Sequence, residues 1–185
     1  IEINIENKTH ESARVETLTE IFTLDENDRI SSNVVAQFEP QQTTIEANSK
    51  AKIKASVQIE NPRLWGPLPT QQPNQYVAVT KLIQNGNEID SYKTTFGIRN
   101  VEFNPDKGIF VNGEHIQIKG VNQHHDLGAL GAAFNVRAAE RQLELLREMG
   151  CNAIRMAHNP PAPGLLELTD KMGFLVIDEI FDSWE

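Results

Sequence analysis

Residues 149–179 read MGCNAIRMAHNPPAPGLLELTDKMGFLVIDE, and this stretch decides the fold. Cys151 to Ala157 has the composition of a strand. Leu165 to Met172 reads as a short helix closed by Gly173, and Phe174-Leu175-Val176-Ile177 is an unbroken apolar run. A run of that kind predicts a parallel strand covered on both faces. Upstream, Val136, Ala139, Leu143, Leu146 and Met149 recur at spacings of three and four, with Arg137, Glu140, Arg141, Glu144 and Arg147 between them. That is the pattern of an amphipathic helix. Asn135 is placed to cap its start and Gly150 to end it. Before it come Lys119-Gly120-Val121 and a hairpin, Gly108–Val111 and Glu114–Ile118, turning on Asn112-Gly113. The order hairpin, β, α, β, α, β implies parallel crossovers in an open sheet or a barrel. No Gly-rich phosphate loop follows any of these strands, which favours the barrel over a nucleotide-binding sheet.

Residues 1–100 follow a different pattern. Ile1, Ile3 and Ile5 alternate with polar residues, and Ala51, Ile53, Ala55, Val57 and Ile59 interleave with Lys52, Lys54, Ser56 and Gln58. Val34, Ala36 and Phe38 repeat the alternation, as do Tyr76, Ala78, Thr80 and Leu82. Turn signals fall at Asp25–Asp28, Asn61-Pro62 and Asn85-Gly86-Asn87. Six or seven short strands in about 100 residues predict an antiparallel sandwich of immunoglobulin type. The fold class is thus an all-β immunoglobulin-like sandwich followed by α/β, the N-terminal part (first three strands) of a (β/α)8 TIM barrel. The expected domains are 1–99 and 100–185. About 85 residues follow position 100, against roughly 250 in a complete barrel, so a fragment of a longer chain is expected.

Composition narrows the function classes. The chain has 185 residues, 17 Lys+Arg against 26 Asp+Glu, a net charge of −9 and 39% hydrophobic residues. No apolar run is long enough to span a membrane. An acidic chain without a basic cluster is a poor match for nucleic acid. The single cysteine, Cys151, excludes an internal disulfide or a thiolate metal cage. No metal and no cofactor is expected. Compartment stays open, a periplasmic or extracytoplasmic parent being compatible with the sequence.

Polar groups gather just after each apolar run: His124-His125-Asp126, then Arg155 and His158, then Asp178-Glu179. In parallel α/β architectures the carboxyl ends of strands carry the ligand chemistry. One surface is therefore expected to hold groups from three strands.

The stretches FGIRNVEF (96–103), GIFVNGEHIQIKGVNQHHDLG (108–128) and 149–179, with HHDLGALG and DEIFDSW, resemble glycoside hydrolase family 2. That family includes β-galactosidases, β-glucuronidases and β-mannosidases, and the closest flavour is the β-galactosidase branch. NPRLWGP at 61–67 is similar to a loop of the family's immunoglobulin-like domain. The resemblance implies a retaining β-glycosidase acting on a β-linked oligosaccharide or glycoside, whose two catalytic glutamates lie beyond Glu185. It implies that His158 and Asp126 bind substrate, with His124 the better of the two adjacent histidines. It implies also that Arg155 supports the nucleophile and that Glu179 holds its neighbours in place.

Each role has a plainer alternative. His158 would be an exposed loop histidine, and Arg155 half of a structural ion pair, with Glu179 as its candidate partner. Asp126 would be a loop acid capping local N–H groups, and His124 a packing residue. Trp184 either stacks on a sugar or packs in the core. His10 and His115 read as solvent-facing, and Cys151 as a small apolar residue. Two other functional classes stay open: a metal-dependent hydrolase using His124, His125, His158 and Glu179, and a non-catalytic carbohydrate-binding or interaction module. The open sheet edge beyond Phe174–Ile177 predicts self-association of the fragment.

Overall fold

The structure, a computed structural model, describes residues 1–180; Trp184, singled out above, lies outside them. The chain forms two compact units, Ile1–Pro62 with Gln75–Phe96, and Arg63–Asn74 with Gly97–Glu185. No helix of the described residues is long and apolar enough to cross a membrane.

The first unit is the immunoglobulin-like sandwich. One sheet pairs β1 (Glu2–Asn7) with β5 (Ser49–Lys54). The other is built on β2 (Ala13–Leu24), the longest strand at 12 residues. On one side β2 takes β6 (Tyr76–Gln84), which in turn pairs β7 (Asn87–Phe96). On the other side its first half takes β4 (Gln41–Ile45) and its second half β3 (Ile30–Gln37). Alternate residues of β2, Val15, Thr17, Thr19 and Ile21, are buried beside Phe38, Ile45 and Tyr76–Ala78. The two threonines are affordable there because they find partners: Thr19 Oγ1 lies 2.9 Å from Thr80 Oγ1, and Thr17 Oγ1 donates to the Gln41 carbonyl. The Asn85-Gly86 turn between β6 and β7 puts both residues at positive φ, 50° and 79°, as a two-residue hairpin of the primed type requires.

The alternation from Ala51 to Ile59 outlasts its strand. β5 stops at Lys54, although Ala55, Val57 and Ile59 remain more buried than the residues between them. The backbone exchange of Ala55 with Ile1 is the last pairing with β1. Alternation records which face is covered, whereas a ladder also needs a neighbouring strand.

The second unit contains two three-stranded sheets. One is antiparallel: β8 (Val101–Asn104), β9 (Gly108–Val111) and β10 (Glu114–Ile116), in the order β10-β9-β8. The sequence reading found the β9–β10 hairpin but not β8. The Asn112-Gly113 turn again has φ of 54° and 80°.

The other sheet is parallel: β11 (Gly120–Gln123), β12 (Ala153–Met156) and β13 (Leu175–Asp178), paired in that order. Helix α1 (Val136–Glu148) links the first two and α2 (Pro163–Met172) the last two. The Asn135 side chain accepts the Ala138 N–H at 3.0 Å and so caps α1, while Gly173 closes α2 at φ 72°. Ala139, Leu143, Leu165, Leu168 and Met172 of the helices bury against Ile154, Met156 and Phe174, with Cys151 and Val176 at the margin.

In β13, Val176 packs toward the helices, and Ile177 on the opposite face is 51% exposed among the described residues. The Arg63–Asn74 loop packs with the second unit. Trp65 is the physical reason. It is 2% exposed, its backbone N–H donates to Ile98, its indole N–H donates to the Asp170 carbonyl, and the Arg99 guanidinium lies 4.7 Å from its ring centre. Asn112 donates to the Trp65 carbonyl and to Gln71 Oε1, and Gln71 donates to the Val111 carbonyl, so the loop is tied at both ends.

Candidate functional site

Strand period assigns the faces of the parallel sheet. Ile154 and Met156 belong to the core with the helices, so Arg155 between them points to the other face. Register places Asn122 and Ile177 on either side of Arg155. One step further along this face, past the carboxyl ends of β11 and β13, stand His124 and Glu179. Asp178 is in register with Met156 and belongs to the helix side.

Five side chains meet there. Arg155 donates through Nη1 to Asn122 Oδ1 at 3.2 Å and through Nη2 to Glu179 Oε1 in a short ion pair. His158, three residues past Arg155, places Nδ1 2.9 Å from Glu179 Oε2. The His124 ring meets the His158 ring edge to face, with centres 5.8 Å apart. One carboxylate thus gathers an arginine and a histidine, using a different oxygen for each. The cluster is half-buried, with 24% exposure of the Glu179 side chain.

The hydrogen bond with His158 holds the Glu179 carboxyl below its ordinary range, Arg155 adds to this, and partial burial opposes it. The folded-state pKa is therefore below the unfolded one. The stabilisation this carboxylate supplies is present above the usual carboxylate pKa and is lost as pH falls through the folded value. We expect the stability gap between the wild type and Glu179→Gln to be level above about pH 5 and to shrink at lower pH. Urea unfolding at a series of pH values checks this, and a gap that widens in acid would contradict it.

The remaining sequence-selected residues are placed differently. Asp126 is exposed, and its Oδ1 accepts the Gly128 N–H at 2.8 Å while its carbonyl accepts from Gln142. Its carboxylate organises its own loop, next to the short 3-10 turn Gly128–Leu130. The two adjacent histidines diverge: His124 goes to His158, and His125 Nε2 lies 3.1 Å from the Pro160 carbonyl, tying this loop to the one after β12. Among the described residues no group of three or more His, Cys, Asp or Glu is arranged to hold a metal ion. Asn122 was not singled out from sequence. Its signal is position alone, two residues before His124 on the same face.

Residues 1–99 match the family described as Glycosyl hydrolases family 2, and residues 102–182 match Glycosyl hydrolases family 2, TIM barrel domain. The chain is 48% identical over 139 residues to a β-galactosidase of Bacteroides ovatus, covering 75% of this chain and 16% of that protein. It is 39% identical over 122 residues to a β-glucuronidase of Bacteroides fragilis, covering 66% of this chain and 17% of that one. A crystal structure of a glycosyl hydrolase family 2 member from Bacteroides cellulosilyticus superimposes with a TM-score of 0.84 at 36% identity, over 99% of this chain and 24% of that chain. The chain thus spans about a sixth of the length of these two curated relatives. Two consecutive family matches, in the order sandwich then barrel, lead to one conclusion: this chain belongs to glycosyl hydrolases family 2.

Proposed function

We propose that this chain contributes the sugar-gripping floor of a retaining β-glycosidase, most simply a β-galactosidase, and that the catalytic carboxyl pair is supplied by sequence outside it. The observation that supports this best is the Arg155–His158–Glu179 cluster at the carboxyl ends of β12 and β13, the end of a parallel barrel where substrates bind. His158 addresses a sugar hydroxyl, His124 meets its ring edge to face, and Asp126 stands at the margin as a further acceptor for hydroxyls. Arg155 carries a permanent charge and orients carboxylates.

Retaining hydrolysis needs two carboxyl groups about 5–5.5 Å apart, one with a raised pKa as the general acid. Glu179 is pulled the other way by His158 and Arg155, which suits an anchor rather than an acid. The 185-residue chain should therefore give no turnover of aryl β-galactosides, while a longer protein carrying it together with a complete barrel should hydrolyse them with retention. Robust turnover by the 185-residue chain, or inversion by the longer one, would refute the proposal.

On its own the chain also self-associates in this reading. β13 ends the described parallel sheet, and Ile177 and Ile180 are 51% and 78% exposed beside it. Such an apolar edge is a template for further pairing. Light scattering is expected to report oligomers that Ile177→Lys reduces. A monomer at high concentration would contradict this.

A further inference from the structure

We propose that Glu179 is a positioning residue that fixes His158 in one tautomer, hydrogen on Nδ1 and lone pair on Nε2, so that His158 meets a substrate hydroxyl only as an acceptor. The hydroxyl rests on the glycoside reading; the tautomer does not.

The argument is one of donors and acceptors. An ionised carboxylate only accepts. With Glu179 Oε2 2.9 Å from Nδ1, the ring nitrogen must supply the hydrogen. Arg155 Nη2 also lies 3.5 Å from Nδ1, but a guanidinium has no acceptor. That approach is two donors converging on one carboxylate, Arg155 on Oε1 and His158 on Oε2. A neutral imidazole with hydrogen on Nδ1 has its lone pair on Nε2, so whatever Nε2 bonds must donate to it. A sugar hydroxyl can. An ether oxygen or a fluorine at the same position, which only accepts, would face a lone pair.

The arrangement makes an unusual demand on one substitution. Glu179→Gln is nearly isosteric but has one oxygen and one NH2. Arg155 can only donate, so the amide must give it the oxygen and turn the NH2 toward His158. Nδ1 then has to accept, and the hydrogen moves to Nε2. The substitution should therefore exchange the tautomer without enlarging the site, an effect that mere loss of packing would not produce.

The test is 15N NMR of the histidine side chains in the 185-residue chain at about pH 8, above the ordinary imidazole pKa of ~6.5. Resonances are assigned with His158→Gln. The expected wild-type result is His158 Nδ1 at a protonated-nitrogen shift and Nε2 at an unprotonated one, with the two exchanged in Glu179→Gln. Protonated Nε2 in the wild type would overturn the proposal, and so would an unchanged tautomer in a folded Glu179→Gln. Should that variant fail to fold, the wild-type spectrum alone still decides. Failure of the glycoside reading would be seen separately, as absence of hydrolysis by the longer protein with the tautomer as expected.

Discussion

Trp65→Ala is expected to destabilise the second unit by about 3–5 kcal/mol, the usual range for removing a buried indole. Trp65 combines near-complete burial with a hydrogen bond from its indole N–H to the Asp170 carbonyl at 2.6 Å and a guanidinium over its ring. Truncation would leave a cavity beside Gly97, whose Cα hydrogens stand where a Cβ would come within 2.8 Å of Trp65 Cβ. It would also leave the C-terminal turn of α2 without its tie to the 63–74 loop. Trp65→Phe should recover most of the apolar contact while losing the indole hydrogen bond, about 1 kcal/mol, and part of the cation–π attraction. Because the chain has two units, a single unfolding midpoint is a poor measure. Hydrogen exchange at the Leu143 and Ile154 amides reads the second unit alone. Protection there unchanged by Trp65→Ala would contradict the assignment of this loop to that unit.

Much of the fold could be read from residues that act locally. Asn85-Gly86 and Asn112-Gly113 both adopt the left-handed conformations their turns need. Asn135 and Gly173 bound their helices where helix-end chemistry places them. What the sequence hid is non-local. The partner of the Trp65 indole lies 105 residues away, and no periodicity near Trp65 points to it. β8 is four residues long, too short for alternation to stand out, and is defined by its pairing with β9.

The candidate site divides in the same way. Arg155, His158, Glu179 and His124 stand out in the sequence as polar groups at the ends of apolar runs, and the structure brings the four together. Asp126 was selected on the same grounds, but its spacing to Gly128 is that of a side chain accepting a backbone N–H two residues on, and the local bond forms. Asn122 escaped notice because asparagine in a strand carries no chemistry until its register with Arg155 is known.

We propose that Arg155 acts on turnover through the carboxylates it orients, beyond any ion pair that steadies the rim. Arg155 is held by Asn122 on one side and Glu179 on the other, so its charge is fixed in place before any substrate arrives. Preorganised charge of this kind is worth about 10²–10³ in kcat when a single donor is removed. A purely structural pair, half-exposed as this one is, would lower stability modestly and leave turnover of the folded enzyme intact. The decisive measurement is kcat for an aryl β-galactoside with the longer enzyme carrying this chain, wild type against Arg155→Ala, at a temperature where both are fully folded. A loss of about 10²-fold or more in kcat is the expected result; a folded Arg155→Ala enzyme with kcat near that of the wild type would contradict the account.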